Sequence, residues 1–299
     1  MLTDLGFNAL QQAYASATVS PAQVMADIRK RALQTADYNI WLHLLTEDEQ
    51  APYIEALAHK KIKDCPLWGI PFAIKDNIDL ANIPTTAGCE AFAYTPNQSA
   101  VVVQQLINAG AIPVGKTSLD QFATGLNGTR SAIGPCKNSF NPEYISGGSS
   151  SGSAVALALG LCSFSLGTDT AGSGRVPACF NNLVGLKPSR GLLSATGLVP
   201  ACRSLDCISI FAYNTDDANS ALAAAEGFDL HDDFSRKNPF KNHSRHYGLR
   251  TGELTLGVIP QDQLKFFGDN DYQNAYQATL QTLSNNAITL VEIDYAPFN

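Results

Sequence analysis

Two serine-bearing clusters of small residues and one lysine are the parts of this sequence equipped for chemistry. The first cluster is Gly147-Gly148-Ser149-Ser150-Ser151-Gly152-Ser153. The second is Gly167-Thr168-Asp169-Thr170-Ala171-Gly172-Ser173-Gly174-Arg175. Glycine-rich backbone adopts positive φ readily and lets a ligand come close. Its N–H groups can converge on a developing negative charge. A serine in such a turn becomes a nucleophile when a base takes its proton, and the usual base is histidine. The five histidines are poorly placed for that role. His43 and His59 lie in stretches that read as surface helix, and His231, His243 and His246 lie in a polar loop. Lysine is the other base that activates serine. Lys75 closes the apolar run Gly69-Ile70-Pro71-Phe72-Ala73-Ile74. Burial there lowers an ammonium pKa, and half-neutrality at pH 7 needs a drop of roughly 3.4 units. A salt bridge to Asp76 or another carboxylate is the alternative role for Lys75, and the residues alone do not separate the two. Lys116 is a second candidate base by chemistry alone.

Other readings of these motifs are weaker. A flexible Gly/Ser linker has no apolar run inside it and no Asp/Arg pair at its end. A phosphate-cradling loop needs a Gly-Lys-Ser/Thr ending that neither cluster has. Residues 110–117, GAIPVGKT, do satisfy the Walker A pattern. A true phosphate loop follows a strand and opens a helix. Here a helix precedes Gly110, and the intervening residues read as a strand interrupted by Pro113. Asp169 and Arg175 bracket the second cluster and read as a buried ion pair that holds the turn. The alternative for Arg175 is a contact with a substrate carboxylate. Cys202 and Cys207 have no matching ligand pair and read as packing residues rather than a metal site.

The elements that must position these residues alternate between helix and strand, which is an α/β pattern. Ser20-Pro21 followed by Gln23 supplies an N-cap, a proline at N1 and a capping-box partner. Val24, Ile28 and Ala32 then share one face. Residues 47–61 form a second helix. Residues 69–80 form a strand carrying Lys75, with the small-residue loop 85–88 near it. Residues 100–108 form a helix closed by Gly110, and 111–114 the next strand. Residues 119–130 (LDQFATGLNGTR) lead into the serine clusters. Residues 154–161 are apolar throughout and predict a buried helix, and 163–166 a short strand. A helix over 218–226, a polar surface loop or lid over 229–247, a strand over 255–259, a helix over 272–283 and a strand over 288–293 complete the series.

Lys75 in GIPFAIKDN, Ser149 in GGSSSGSA and Ser173 in GTDTAGSGR together resemble the three signature positions of the amidase signature family, and the 24-residue separation of the serines also matches. The resemblance implies a mixed, twisted central sheet with helices on both faces. It implies a Ser–cis-Ser–Lys triad, with Ser173 as nucleophile, Ser149 as proton relay after a cis peptide, and Lys75 as terminal base. It places an oxyanion hole at the N–H groups of Thr170, Ala171, Gly172 and Ser173, and a substrate contact at Gly125. No metal or organic cofactor is implied. Most of the family has Gly-Gly-Ser-Ile/Val-Arg where this chain has Ala171-Gly172-Ser173-Gly174-Arg175. That variant, followed by VPACFNNLVGLKPSRGLLSATGLVPACRSLDCISIFA, resembles the allophanate hydrolases, which complete urea breakdown. The expected partners are therefore a small-molecule amide, a second copy of the chain, and a functional link to a biotin-dependent urea carboxylase. Rival readings are a glutaminase subunit of a tRNA-dependent amidotransferase, a broad amidase, or a non-catalytic scaffold. The whole chain reads as one amidase domain, with a helical segment to about residue 65 and a catalytic core from about 66 to 299. Family domains continue past such a point, so the C-terminal part is expected to be missing, together with the tyrosine and arginine that hold allophanate's carboxylate.

Composition narrows the partners. The 299 residues are 45% hydrophobic, which suits a globular core, and the net charge of −7 argues against nucleic acid and anionic membrane. Seven cysteines without a C-x-x-C pair, and no basic-then-apolar N-terminus, favour reduced thiols in the cytoplasm.

Overall fold

The computed structural model describes residues 4–238 and 254–298. Its organising strand is β2 (Pro71–Lys75), in which every residue is buried. Alternate side chains of a strand point to opposite faces. Phe72 and Ile74 on one face and Ala73 and Lys75 on the other are all fully buried, so both faces of the sheet are covered here. That explains why the sequence is a continuous apolar run rather than an alternating one. β2 pairs in parallel with β3 (Ile112–Thr117) on one side and β4 (Phe164–Thr168) on the other. β1 (Trp41–Leu44) adds antiparallel to β3, while β6 (Ile208–Ala212) adds antiparallel to β4 and carries β5 (Val184–Leu186) on its far side. The order β1-β3-β2-β4-β6-β5 makes a mixed sheet in an α/β fold, as expected.

The helices form where capping and apolar spacing coincide. α1 (Phe7–Ala15) precedes α2 (Pro21–Gln34), where Ser20 accepts from the Gln23 N–H and Gln23 answers at the Ser20 N–H. α3 (Glu47–Leu57) opens with a second capping box, Thr46 with Glu49. α4 (Val101–Asn108) packs against α7 (Thr215–Ala225). α5 (Ser151–Ala158) lies against β2, β3 and β4. It is buried nearly all round, which explains the unbroken apolar run from Ala154 that follows Ser151 and Ser153. Phe72 and Phe164 stack at 5.2 Å between centroids, and Phe7 meets Phe164 edge-on at 5.5 Å.

The residues divide into two compact units, Met1–Ser244 and Arg245–Asn299. The second contains β7 (Leu254–Val258), α8 (Asn270–Asn285) and β8 (Ile288–Glu292), with β7 and β8 paired in parallel. This strand–helix–strand series agrees with the sequence reading.

Several details differ from the sequence reading. His43 lies in strand β1, not in a helix, so the segment before residue 65 supplies a sheet strand as well as helices. The strand read over 69–80 ends at Lys75, after which the chain turns. The buried helix begins three residues earlier than read, at Ser151, directly after the serine pair. α6 (Arg175–Phe180) was hidden by Pro177 inside its short run. β6 carries a buried apolar signal that the reading passed over, and β5 is too short to show one. His243, His246 and residues 239–247 of the polar loop lie outside the described residues.

The Walker-like segment is strand β3. Gly110 has φ +98°, and a Cβ there would stand 2.8 Å from Trp68 Cα. A Cβ on Gly115 would meet the His43 carbonyl oxygen at 2.5 Å, where β1 crosses close to β3. Both glycines therefore serve backbone packing. The Pro113 position coincides with an irregularity in the β2–β3 register, which accommodates the missing N–H. Gly115→Ala should lower stability by about 1–3 kcal/mol through overpacking, measured as a shift in the urea midpoint. A midpoint equal to wild type would show that β1 does not need this close approach.

Candidate functional site

Lys75 ends β2, and its fully buried amine Nζ donates to Ser149 Oγ and Thr168 Oγ1, each at 2.7 Å. The fold brings these groups together because β2 and β4 are neighbours and the Gly148–Ser149 peptide, which is cis, precedes α5. Burial disfavours the ammonium and pulls the Lys75 pKa down to about 7, although the charges of Asp120, Asp169 and Asp206 oppose the shift. Lys116, the other candidate base, is held differently. Its amine stands 2.8 Å from Asp76 Oδ1 and donates to Thr85 Oγ1 at 2.9 Å. Burial lowers its pKa too, against the pull of Asp76 and Asp79. The ion pair expected as an alternative for Lys75 thus belongs to Lys116.

Ser173 lies on the loop between β4 and α6 and is nearly buried. Its carbonyl accepts from the Ser150 N–H at 3.2 Å, which ties the two serine clusters together. Its hydroxyl faces the Gly125 carbonyl at 3.5 Å. Asp169 shapes the loop. Its carboxylate accepts from the N–H groups of Gly172 (2.7 Å), Gly174 and Arg175 (3.1 Å each), and from Nε (2.9 Å) and Nη2 (3.0 Å) of the Arg175 guanidinium. Burial raises the Asp169 pKa, but the Arg175 side chain and the three amides outweigh it and leave the carboxyl below the ordinary aspartate value. The expected ion pair is present with an uneven burial: Asp169 is enclosed, while the Arg175 side chain is 55% exposed.

The anticipated anion donors separate into two sets. The Gly172 N–H is engaged by Asp169. The N–H groups of Thr170, Ala171 and Ser173 donate to no acceptor among the described residues. The Thr170 hydroxyl donates to Asp206 Oδ1 at 2.5 Å, and Asp206 also accepts from the Ala201 and Cys202 amides. Gly125 is held close to Asp120, because a Cβ on it would lie 2.6 Å from Asp120 Oδ2. Asp120 in turn accepts from Gly128 and Arg130 N–H groups, and a Cβ on Gly148 would lie 2.2 Å from it.

The sequence reading assigned no role to Thr168, Asn77, Asp120 or Asp206. Thr168 was visible inside the GTDT segment, but only strand adjacency brings it to Lys75. Among the described histidines, His43 Nε2 contacts both Glu49 oxygens at 3.0 Å, and His231 lines a pocket of about 80 Å³ with Arg203, Asp206 and Phe234. The seven cysteines are free, and Cys207 is buried. Among the described residues no group of three His, Cys, Asp or Glu side chains is arranged to hold a metal ion, and no helix is long and apolar enough to cross a membrane.

The family model described as Amidase matches residues 24–299. The chain is 44% identical over 264 residues to urea amidolyase of Saccharomyces cerevisiae, covering 87% of this chain and 14% of that protein. It is 38% identical over 235 residues to a glutamyl-tRNA(Gln) amidotransferase subunit from Synechococcus sp. (strain CC9311), covering 78% of this chain and 48% of that protein. Among solved structures, Kluyveromyces lactis allophanate hydrolase superposes with a TM-score of 0.84 at 38% identity, covering 98% of this chain and 47% of that one. The chain thus spans less than half the length of each of these relatives.

The Lys75 amine makes a measurable signature. Its pKa falls from 10.5 to about 7 on folding. The unfolded chain then binds more protons than the native one between those values, so stability should rise with pH across that window. Lys75→Met removes this dependence. The stability of wild type relative to Lys75→Met should increase between about pH 7 and pH 9, by up to about 1.4 kcal/mol per unit, as read by chemical denaturation at each pH. A difference that stays constant would mean the amine keeps an ordinary pKa.

Proposed function

The chain belongs to the amidase family, and on that basis we propose that it is an amide hydrolase acting on allophanate, with Ser173, Ser149 and Lys75 as its catalytic relay. The observation that carries the proposal is the 2.7 Å contact between the buried Lys75 amine and Ser149 Oγ, beside the loop that bears Ser173. A lysine with a pKa near 7 is substantially neutral at working pH and has a lone pair to accept a proton. In the proposed reaction Ser173 Oγ attacks the terminal amide carbonyl. Its proton moves to Ser149 Oγ as the Ser149 proton moves to Lys75 Nζ. The N–H groups of Thr170, Ala171 and Ser173 hold the oxyanion, while the Gly172 N–H keeps Asp169 and the loop in place. Ser149 then returns a proton to departing ammonia, and water hydrolyses the acyl-enzyme. The products break down to ammonia and carbon dioxide. Gly125 is the proposed substrate contact.

Allophanate is favoured as substrate by the 44% identity to urea amidolyase and the likeness to allophanate hydrolase. The same relatives support a functional link to a biotin-dependent urea carboxylase that would supply it. A second reading, the glutaminase subunit of a tRNA-dependent amidotransferase, is supported by the 38% identity to the Synechococcus amidotransferase protein. A cytoplasmic setting suits either reading.

Ammonia release from allophanate, glutamine and a simple aliphatic amide separates these readings. Allophanate should be turned over with the highest kcat/KM, and a preference for glutamine would favour the second reading. Ser173→Ala should lower kcat by about three or more orders of magnitude. A loss of less than about tenfold would remove Ser173 from the nucleophile's role.

A further inference from the structure

We infer that Thr168 is a positioning residue that aims the Lys75 amine at Ser149, an inference that rests on the relay proposed above. Nζ lies between two hydroxyl oxygens at equal distances of 2.7 Å. A neutral amine has two N–H donors and one lone pair, and only the lone pair can take a proton. An N–H directed to Thr168 restricts rotation of the amine and turns the lone pair toward Ser149. Without that acceptor the lone pair has no preferred direction.

Thr168 is well fixed for this task. It ends β4, where the Ser150 hydroxyl accepts from its N–H at 3.2 Å and donates to its carbonyl at 3.1 Å. Asn77 Nδ2 donates to Thr168 Oγ1 at 3.4 Å and to the Val199 carbonyl at 3.2 Å. Thr168 is 2% exposed, so bulk water does not compete for its oxygen. The charged groups around Lys75 are engaged elsewhere. Asp120 and Asp169 accept from backbone amides, Asp206 from the Thr170 hydroxyl and two amides, and Lys116 on β3 pairs with Asp76. Ser149 and Thr168 are thus the direct polar partners of the amine among the described residues.

The test is the rate at which a fluorophosphonate probe labels Ser173, followed from about pH 5 to about pH 10. Labelling forms the Ser173 Oγ–phosphorus bond and expels fluoride, so it reads nucleophile activation without a substrate. Thr168→Val and Thr168→Ala should label at least about tenfold more slowly at the plateau. Their acid limb should move to lower pH, because a lost acceptor destabilises the ammonium. Thr168→Ser keeps the hydroxyl and should stay within about threefold of wild type. The Ser and Ala variants carry the comparison if Thr168→Val does not fold. The inference is overturned if Thr168→Ala labels at the wild-type rate, if Thr168→Ser is as slow as Thr168→Ala, or if the rate falls with no movement of the acid limb. Lys75→Met run in parallel separates the two levels: if it labels like wild type the relay itself fails, and if it is inert while Thr168→Ala is unaffected only this inference fails.

Discussion

A primary amine enclosed at the end of a central strand is the constraint around which this structure is arranged. Charged, it costs several kcal/mol to bury, and its pKa falls until the neutral form competes. Lys75 meets this by taking two hydroxyl oxygens as partners, with three carboxylates nearby that moderate the shift without touching it. A carboxylate in direct contact would favour the ammonium and remove the lone pair. Lys116 shows that alternative one strand away, where Asp76 pairs with the amine at 2.8 Å. Two buried lysines on adjacent strands thus differ in their partners, two hydroxyls at Lys75 and a carboxylate with a hydroxyl at Lys116.

The serine loops have little regular structure, and buried carboxylates take its place. Asp169 gathers three backbone N–H groups and a guanidinium, Asp120 gathers two amides, and Asp206 gathers two amides and a hydroxyl. Each satisfies amides that no helix or strand uses, as buried polar groups require. Asp169 claims the Gly172 N–H, while the N–H groups of Thr170, Ala171 and Ser173 have no acceptor among the described residues, so the carboxylate that shapes the turn also sorts its amides. A Cβ on Gly125 or Gly148 would strike Asp120, and one on Gly147 would strike the Pro177 backbone.

Much of the fold was legible in the order of the amino acids. The α/β class, the capping box at Ser20 and the strand–helix–strand series after residue 253 all follow from local patterns, because hydrophobic period and capping chemistry act within a few residues. Lys75, Ser149 and Ser173 were nameable because their motifs are long and occur in order. Whether Lys75 or Lys116 lacks a carboxylate partner was not legible, since both follow apolar strands and both have an aspartate nearby in sequence. That was settled by the packing of the sheet, where β3 placed Lys116 against Asp76 and β4 placed Thr168 against Lys75. The same packing put His43 in a strand, because β1 finds its edge on β3, some seventy residues on. Which amides of the second cluster stay free, and which hydroxyl faces the amine, depend on contacts between segments distant in the chain. A linear pattern does not encode such contacts, because they are set by strand order and by the competition of buried polar groups for partners.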